Sequence, residues 1–135
     1  MRKLARSRPR QMCPCHSGLT YGKCCREAHR NGASGPEALM RSRYAAYALE
    51  KVSYIMETSA EPERDPDTWR AEIQRFCEHT AFLGLEILEV EPGDEVAYVT
   101  FRARLQQVGH DASFTERSRF VRRHRWLYES GERIA

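Results

Sequence analysis

Four of the five cysteines in this 135-residue chain lie within thirteen residues, in the run Cys13-Pro14-Cys15-His16-Ser17-Gly18-Leu19-Thr20-Tyr21-Gly22-Lys23-Cys24-Cys25. A C-x-C pair, an eight-residue spacer and a vicinal pair supply four soft thiolates, the number a closed tetrahedral zinc site requires. Gly18 and Gly22 let the spacer turn and bring both pairs to one point. Cys13, Cys15, Cys24 and Cys25 are therefore the expected ligands, with His16 and His29 in reserve because an imidazole can replace a thiolate. Zinc is the expected ion, and iron satisfies the same four thiolates. The competing reading, reduced cysteines with a redox pair at Cys24-Cys25, would leave four reactive thiols in a segment with no core to bury them. A closed site has no open coordination position, so its expected role is structural. Residues 12–30 are too few to build a core, and the metal is expected to fold them. Lys23, Arg26 and Arg30 are placed to offset the negative charge of such a centre.

A second candidate lies in residues 113–121, where alternation puts Phe114, Glu116, Ser118 and Phe120 on one face. The two aromatics mark that face as inward, which turns Glu116 and Ser118 towards a core or a cavity. A buried carboxylate needs a cation or several donors, and Arg41 or Arg43 on the first long helix is the expected partner. The plainer use is an ion pair fixing helix to sheet. The alternative is a ligand pocket in which Glu116 acts as acid or base. His79 reads as a helix cap, His110 and His124 as solvated, and Cys77 as a small core residue. The sequence holds no phosphate-binding glycine loop, H-E-x-x-H or G-x-S-x-G, so it leans away from catalysis.

The elements that must position these residues are legible from periodicity. Ser34-Gly35-Pro36-Glu37 announces a helix over 36–50, with Met40, Tyr44, Tyr47 and Ala48 on one apolar face. Val52, Ile55 and Met56 indicate a short second helix. Asp67 is the expected cap of a third, through about His79, burying Trp69, Ile73, Phe76 and Cys77. After Leu83 the period changes to two. Strands are expected over 85–90, 96–105, 113–121 and 125–129, with Pro92-Gly93 as a type II turn and Ser130-Gly131 closing the last. Helices followed by hairpin-linked strands make an α+β fold with an antiparallel sheet.

The apolar content of 41% and charged content of 30% are those of a globular chain, and no apolar run reaches the roughly 18 residues of a membrane span. A basic start without a following hydrophobic stretch does not read as a secretory signal, so the expected location is the cytoplasm, where clustered cysteines favour metal over disulfides. Residues 1–30 carry eight Lys/Arg against Glu27 alone, while the remainder is acidic by four charges within an overall +3. The expected organisation is a basic flexible arm (1–11), a knuckle (12–30), a small-residue linker (31–35) and an α+β body (36–135) able to fold without the knuckle.

The cysteine run resembles the SEC-C zinc motif, best known from the C-terminal tail of the preprotein translocase ATPase SecA. That motif has a form close to CPCGSGxxYxxCC or CPCGSGxxYxxCH, and here His16 replaces a glycine. Further along, Leu39-Met40-Arg41-Ser42-Arg43-Tyr44-Ala45-Ala46-Tyr47, Phe82-Leu83-Gly84-Leu85, Glu116-Arg117-Ser118-Arg119-Phe120 and Arg125-Trp126-Leu127-Tyr128 resemble the YchJ-like proteins. The resemblance implies a zinc knuckle on a nuclear-transport-factor-2-like (cystatin-like) cone, in which a curved antiparallel sheet wraps helices. It implies no reaction. The SecA-type motif contacts an export chaperone and the ribosome, which makes a protein or ribosomal partner, docked through the knuckle, the leading functional reading. The alternatives are a small-molecule binder or enzyme using the cone pocket around Glu116, and a nucleic-acid binder acting through the basic arm.

Overall fold

The computed structural model describes residues 9–62 and 64–134, so residues 1–8 of the expected basic arm lie outside the described residues. The described residues form four α-helices, α1 (Cys25–Asn31), α2 (Pro36–Ala48), α3 (Val52–Glu57) and α4 (Pro66–Glu78). Five strands follow: β1 (Ala81–Glu91), β2 (Val96–Gln107), β3 (His110–Asp111), β4 (Phe114–Arg122) and β5 (Trp126–Ile134). All strand pairs are antiparallel, in the order β1-β2-β4-β5, with short β3 pairing β2. This is the expected α+β cone.

Strand β2 is its most regular part. Ala97, Val99, Phe101, Ala103 and Leu105 are all buried, as alternation requires. Register shifts at Phe82/Gly84, Ile87/Glu89 and Arg119/Phe120 bend the sheet around the helices. At the first, the Tyr44 hydroxyl accepts from Gly84 N (3.2 Å) and donates to Gly84 O (2.9 Å), which satisfies the backbone at the irregularity.

Helix α2 departs from the simple amphipathic picture. Seven of its thirteen residues are buried, Leu39, Met40, Ser42, Arg43, Tyr44, Ala45 and Ala46, because it is covered from three directions. Leu39, Met40 and Tyr44 pack on the sheet, Ala46 packs with Val52, Ile55, Trp69, Ile73 and Cys77, and Ala45 joins Leu49 against the cysteine knuckle.

Several local expectations are corrected. The α4 cap is Asp65, whose side chain accepts from Thr68 N at 3.1 Å; Asp67 lies inside the first turn. Pro66 at the first helical position, which needs no amide partner, moves the start forward. Gly93 is not in the left-handed region that a type II turn demands. A Cβ there would instead collide with the Val96 carbonyl, so space selects the glycine. Ser130-Gly131 do not close β5, which pairs with β4 through Ile134. Phe76 is half-buried, since it faces a cavity.

Residues 9–11, expected in the flexible arm, are tied to the knuckle. Pro9 O accepts from Gly22 N (2.9 Å) and Gln11 O from Tyr21 N (2.8 Å). The knuckle in turn shares its core with α2 rather than hanging on a linker. We therefore expect residues 36–135 alone to lose about 3 kcal/mol or more of stability, the scale of large core deletions, because Ala45 and Leu49 would face water. Urea unfolding of the truncated and full chains checks this, and an unchanged midpoint would show the knuckle to be an independent appendage.

Candidate functional site

The knuckle begins as a small hairpin. Met12 bridges Thr20, and Cys13 N donates to Leu19 O at 2.9 Å. His16 N then returns to Cys13 O at 3.1 Å, closing a tight turn around Cys15. A 3-10 turn over Tyr21–Lys23 delivers Cys24, and Cys25 opens α1. The four Sγ atoms of Cys13, Cys15, Cys24 and Cys25 all lie within 4.8 Å of one another. Cys15 and Cys24 stand 3.5 Å apart, Cys24 and Cys25 3.9 Å. Tetrahedral zinc–thiolate bonds place sulfurs about 3.8 Å apart, so the donor set fits a four-thiolate ion with little adjustment. Which metal it would hold is not fixed by this geometry, since iron has similar ligand preferences.

In the cluster as it stands, one negative charge is favoured, on Cys15, and its neighbours resist ionisation. Hydrogen bonding by Cys13, then by Cys25, pulls the Cys15 thiol well below its ordinary value of 9.0. The same cluster pushes Cys13 up to about 11, first through Cys15, and pushes Cys25 upward, first through Cys13. Ser17 Oγ lies 3.2 Å from Cys24 Sγ. Arg41, expected beside Glu116, instead reaches this cluster, with Nη1 at 3.4 Å from Cys15 O and 4.0 Å from Cys15 Sγ. Of the basic residues expected to offset the centre, Lys23 and Arg30 are exposed and Arg26 is half-buried.

Neither reserve histidine joins the thiols. His16 adopts φ 61°, the left-handed region where the SEC-C form carries glycine. This costs a non-glycine residue roughly 1–2 kcal/mol, and its ring meets Tyr44 edge-on at 5.9 Å. Both nitrogens of His29 are engaged: Tyr21 OH lies 2.7 Å from Nδ1, and Ser42 O accepts from Nε2 at 2.8 Å. With Nε2 carrying the proton, Nδ1 accepts from the tyrosine. Ser42 Oγ donates to Leu39 O (2.9 Å) and accepts from Tyr54 OH (2.6 Å). A polar chain thus fastens the knuckle to α2 and α3. Tyr21 and His29 carried no sequence signal for this role.

The other candidate site lies in the cone. Glu116 and Ser118 do face inward, with the Glu116 side chain 14% exposed. The expected pairing of Glu116 with Arg41 or Arg43 is not found. Ser118 Oγ donates to Glu116 at 2.6 Å, Tyr128 OH at 3.4 Å and Arg133 Nε at 3.4 Å, so the counter-charge comes from β5. Register explains this: Glu116 sits directly opposite Arg133 on the neighbouring strand. Gly131 makes the room, since a Cβ there would occupy the space of the Glu116 carboxylate. Arg43 lies elsewhere on the wall of the same cavity, which measures about 570 Å³. Cys77 is fully buried, His79 N and Nδ1 both lie against Arg75 O, and His110 and His124 are exposed.

Two outcomes follow. Neighbours of a metal centre typically tune its affinity by about 10–100-fold, so Arg41→Gln is expected to weaken metal retention by about tenfold in chelator competition. Unaltered release would mean that Arg41 does not sense the centre. For His29, burial holds the pKa below its ordinary 6.5. The unfolded chain then binds the proton first, so stability falls as pH drops through 6.5 and goes on falling until the folded pKa is passed. His29→Gln keeps a donor and an acceptor but cannot titrate. Between about pH 7.5 and about pH 5.5 the parent should lose more stability than this variant, and parallel urea-melt series would contradict the assignment.

Comparison with known proteins follows the same two-part division. The family described as "YchJ, middle NTF2-like domain" matches residues 35–131, and the SEC-C motif matches residues 10–27. A UPF0225 protein of Pectobacterium carotovorum subsp. carotovorum (strain PC1) is 39% identical over 132 residues, covering 92% of this chain and 84% of that protein. The solution structure of a SEC-C motif containing protein from Rhodopseudomonas palustris is similar at TM-score 0.76 and 37% identity, covering 91% of this chain and 98% of that one. A crystal structure of a SEC-C motif containing protein from Psychrobacter arcticus is similar at TM-score 0.73 and 25% identity, covering 90% and 82%. With the cysteine knuckle, the NTF2-like cone and these matches in agreement, the chain belongs to the YchJ-like family of SEC-C motif proteins.

Proposed function

We propose that this protein is a metal-folded binding module. In this reading Cys13, Cys15, Cys24 and Cys25 hold one zinc ion in a closed, structural site, and the knuckle docks an acidic surface of a protein or ribosomal partner. The observation that carries it is the convergence of four sulfurs within 4.8 Å of one another. Four protein donors leave no coordination position for substrate, so the ion serves folding and not chemistry. The outer face of the knuckle supports docking. Met12 (61% exposed) and Leu19 (52%) stand out from its hairpin, and Lys23 and Arg30 are exposed in the same module. Exposed apolar residues and positive charge in one module suit a partner surface that combines an apolar patch with acidic groups. The resemblance of the motif to the SecA tail points to the ribosome as the first partner to try. No helix among the described residues is long and apolar enough to cross a membrane, so the membrane plays no part in this reading.

Protein prepared without chelator should contain about one zinc per chain by elemental analysis, and iron in its place would revise the ion alone. The chain should then sediment with purified ribosomes at low salt. Reversing Lys23, Arg26 and Arg30 to glutamate should release it while leaving the metal content unchanged. Binding that survives the charge reversal would remove the knuckle from the interface.

A further inference from the structure

The cavity of about 570 Å³ lies between α2, α4 and the concave face of the sheet, away from the knuckle. Its wall is largely aromatic. Tyr47 and Phe76 from the helices meet edge-on at 5.6 Å, and Phe101 and Phe114 from the sheet do so at 5.9 Å. Such walls accept a flat or branched apolar body through ring faces and edges.

Five charged residues line the cavity, Arg43, Arg64, Glu72, Glu116 and Arg133, and they are not equivalent: Arg64 and Glu72 pair with each other at 2.9 Å. Glu116 has its own donors and its own cation, Arg133. Arg43 is 8% exposed and has no carboxylate partner among the described residues. Its Nη1 donates to three neutral acceptors, Ile55 O at 2.9 Å, Thr58 Oγ1 at 2.7 Å and Ser59 Oγ at 3.2 Å. Its guanidinium lies over the Tyr128 ring, 4.6 Å from the centroid. Nε and Nη2 are left without an acceptor among the described residues, on a side chain that lines the cavity. A buried cation without an anion is costly, and the Nε/Nη2 edge of a guanidinium matches the two oxygens of a carboxylate.

We infer that the cone cavity binds a small monocarboxylate with an apolar, ring-bearing body, its carboxylate seated on Arg43 and its body between the aromatic walls. Tyr128 separates the two charged ends: its ring supports Arg43 and its hydroxyl reaches Glu116 at 3.4 Å. The other lining charges are already paired, Glu116 with Arg133 and Glu72 with Arg64, so a second acid group would find no unpaired cation, which selects a monocarboxylate over a dicarboxylate. The inference does not depend on the docking reading, since no knuckle residue lines this space.

The test uses the full chain, isotope-labelled and observed by NMR, with three probes of one shape: 3-phenylpropionate, 3-phenylpropanamide and 3-phenylpropylamine. The acid should give saturable shifts at the Trp69 indole and at Tyr128, and the amide should bind about tenfold more weakly or worse. Arg43→Gln should abolish that preference. Because Arg43 also holds the end of α3, the variant could fail to fold, and the acid–amide comparison in the parent chain then decides alone. Equal affinity for acid and amide, preference for the amine, or absence of saturable shifts for the acid would each overturn the inference.

Discussion

The structure depends on the burial of one short helix from three directions. The thirteen residues of α2 supply side chains to the sheet core, the core between α3 and α4, and the core beneath the cysteine knuckle. Ala45 and Ala46 are both fully buried, on faces that point to different neighbours. Small side chains there allow two layers to approach the same helix closely. A larger residue at either position would push one layer away, and tightly packed interiors tolerate such overpacking poorly.

This arrangement couples elements that would otherwise be independent. The knuckle has too few residues for a core of its own, yet Tyr21 and Cys25 are buried because Ala45 and Leu49 complete the cluster. His29 and Ser42 add a directed hydrogen bond across the junction. Tyr44 adds another link, since its ring meets His16 of the knuckle while its hydroxyl closes the irregularity at Gly84. Whatever orders the cysteine turns therefore also orders the face of α2 that carries Ala45.

Much of this was legible in the chain. The C-x-C…C-C spacing placed the four sulfurs, and strict alternation placed the buried face of β2, because both signals are local. The inward direction of Glu116 followed from strand parity in the same way. Its partner did not, because pairing depends on register between strands, and the register set Arg133 across from it. Arg41 and Arg43 were correctly seen as flanking a buried stripe, but a helix covered on three sides has no exposed back. One arginine was drawn to the thiols and the other into the cavity. The reach of the knuckle was missed for a related reason: the small residues at 31–35 look like a linker, and nothing local reveals that α1 folds back onto α2. Gly93 and Gly131 were read as turn residues, whereas each is explained by an atom from elsewhere that needs the space.

The closeness of the cysteines has a further meaning for the chain's lifetime in an oxidising environment. Cys15 and Cys24 sulfurs stand 3.5 Å apart, a short displacement from the roughly 2.0 Å of a disulfide. A cation bound there would occupy the sulfur lone pairs and block that reaction. Once the ion is lost, an oxidant that accepts two electrons and two protons from this thiol pair removes two of the four donors together. The oxidised turn can then no longer recapture metal until a reductant restores both thiols, so a brief vacancy becomes a lasting one. Geometry that would make the cluster a good chelator would thus also make metal loss hysteretic, so that the history of the molecule, not only its surroundings, would determine whether the knuckle is intact.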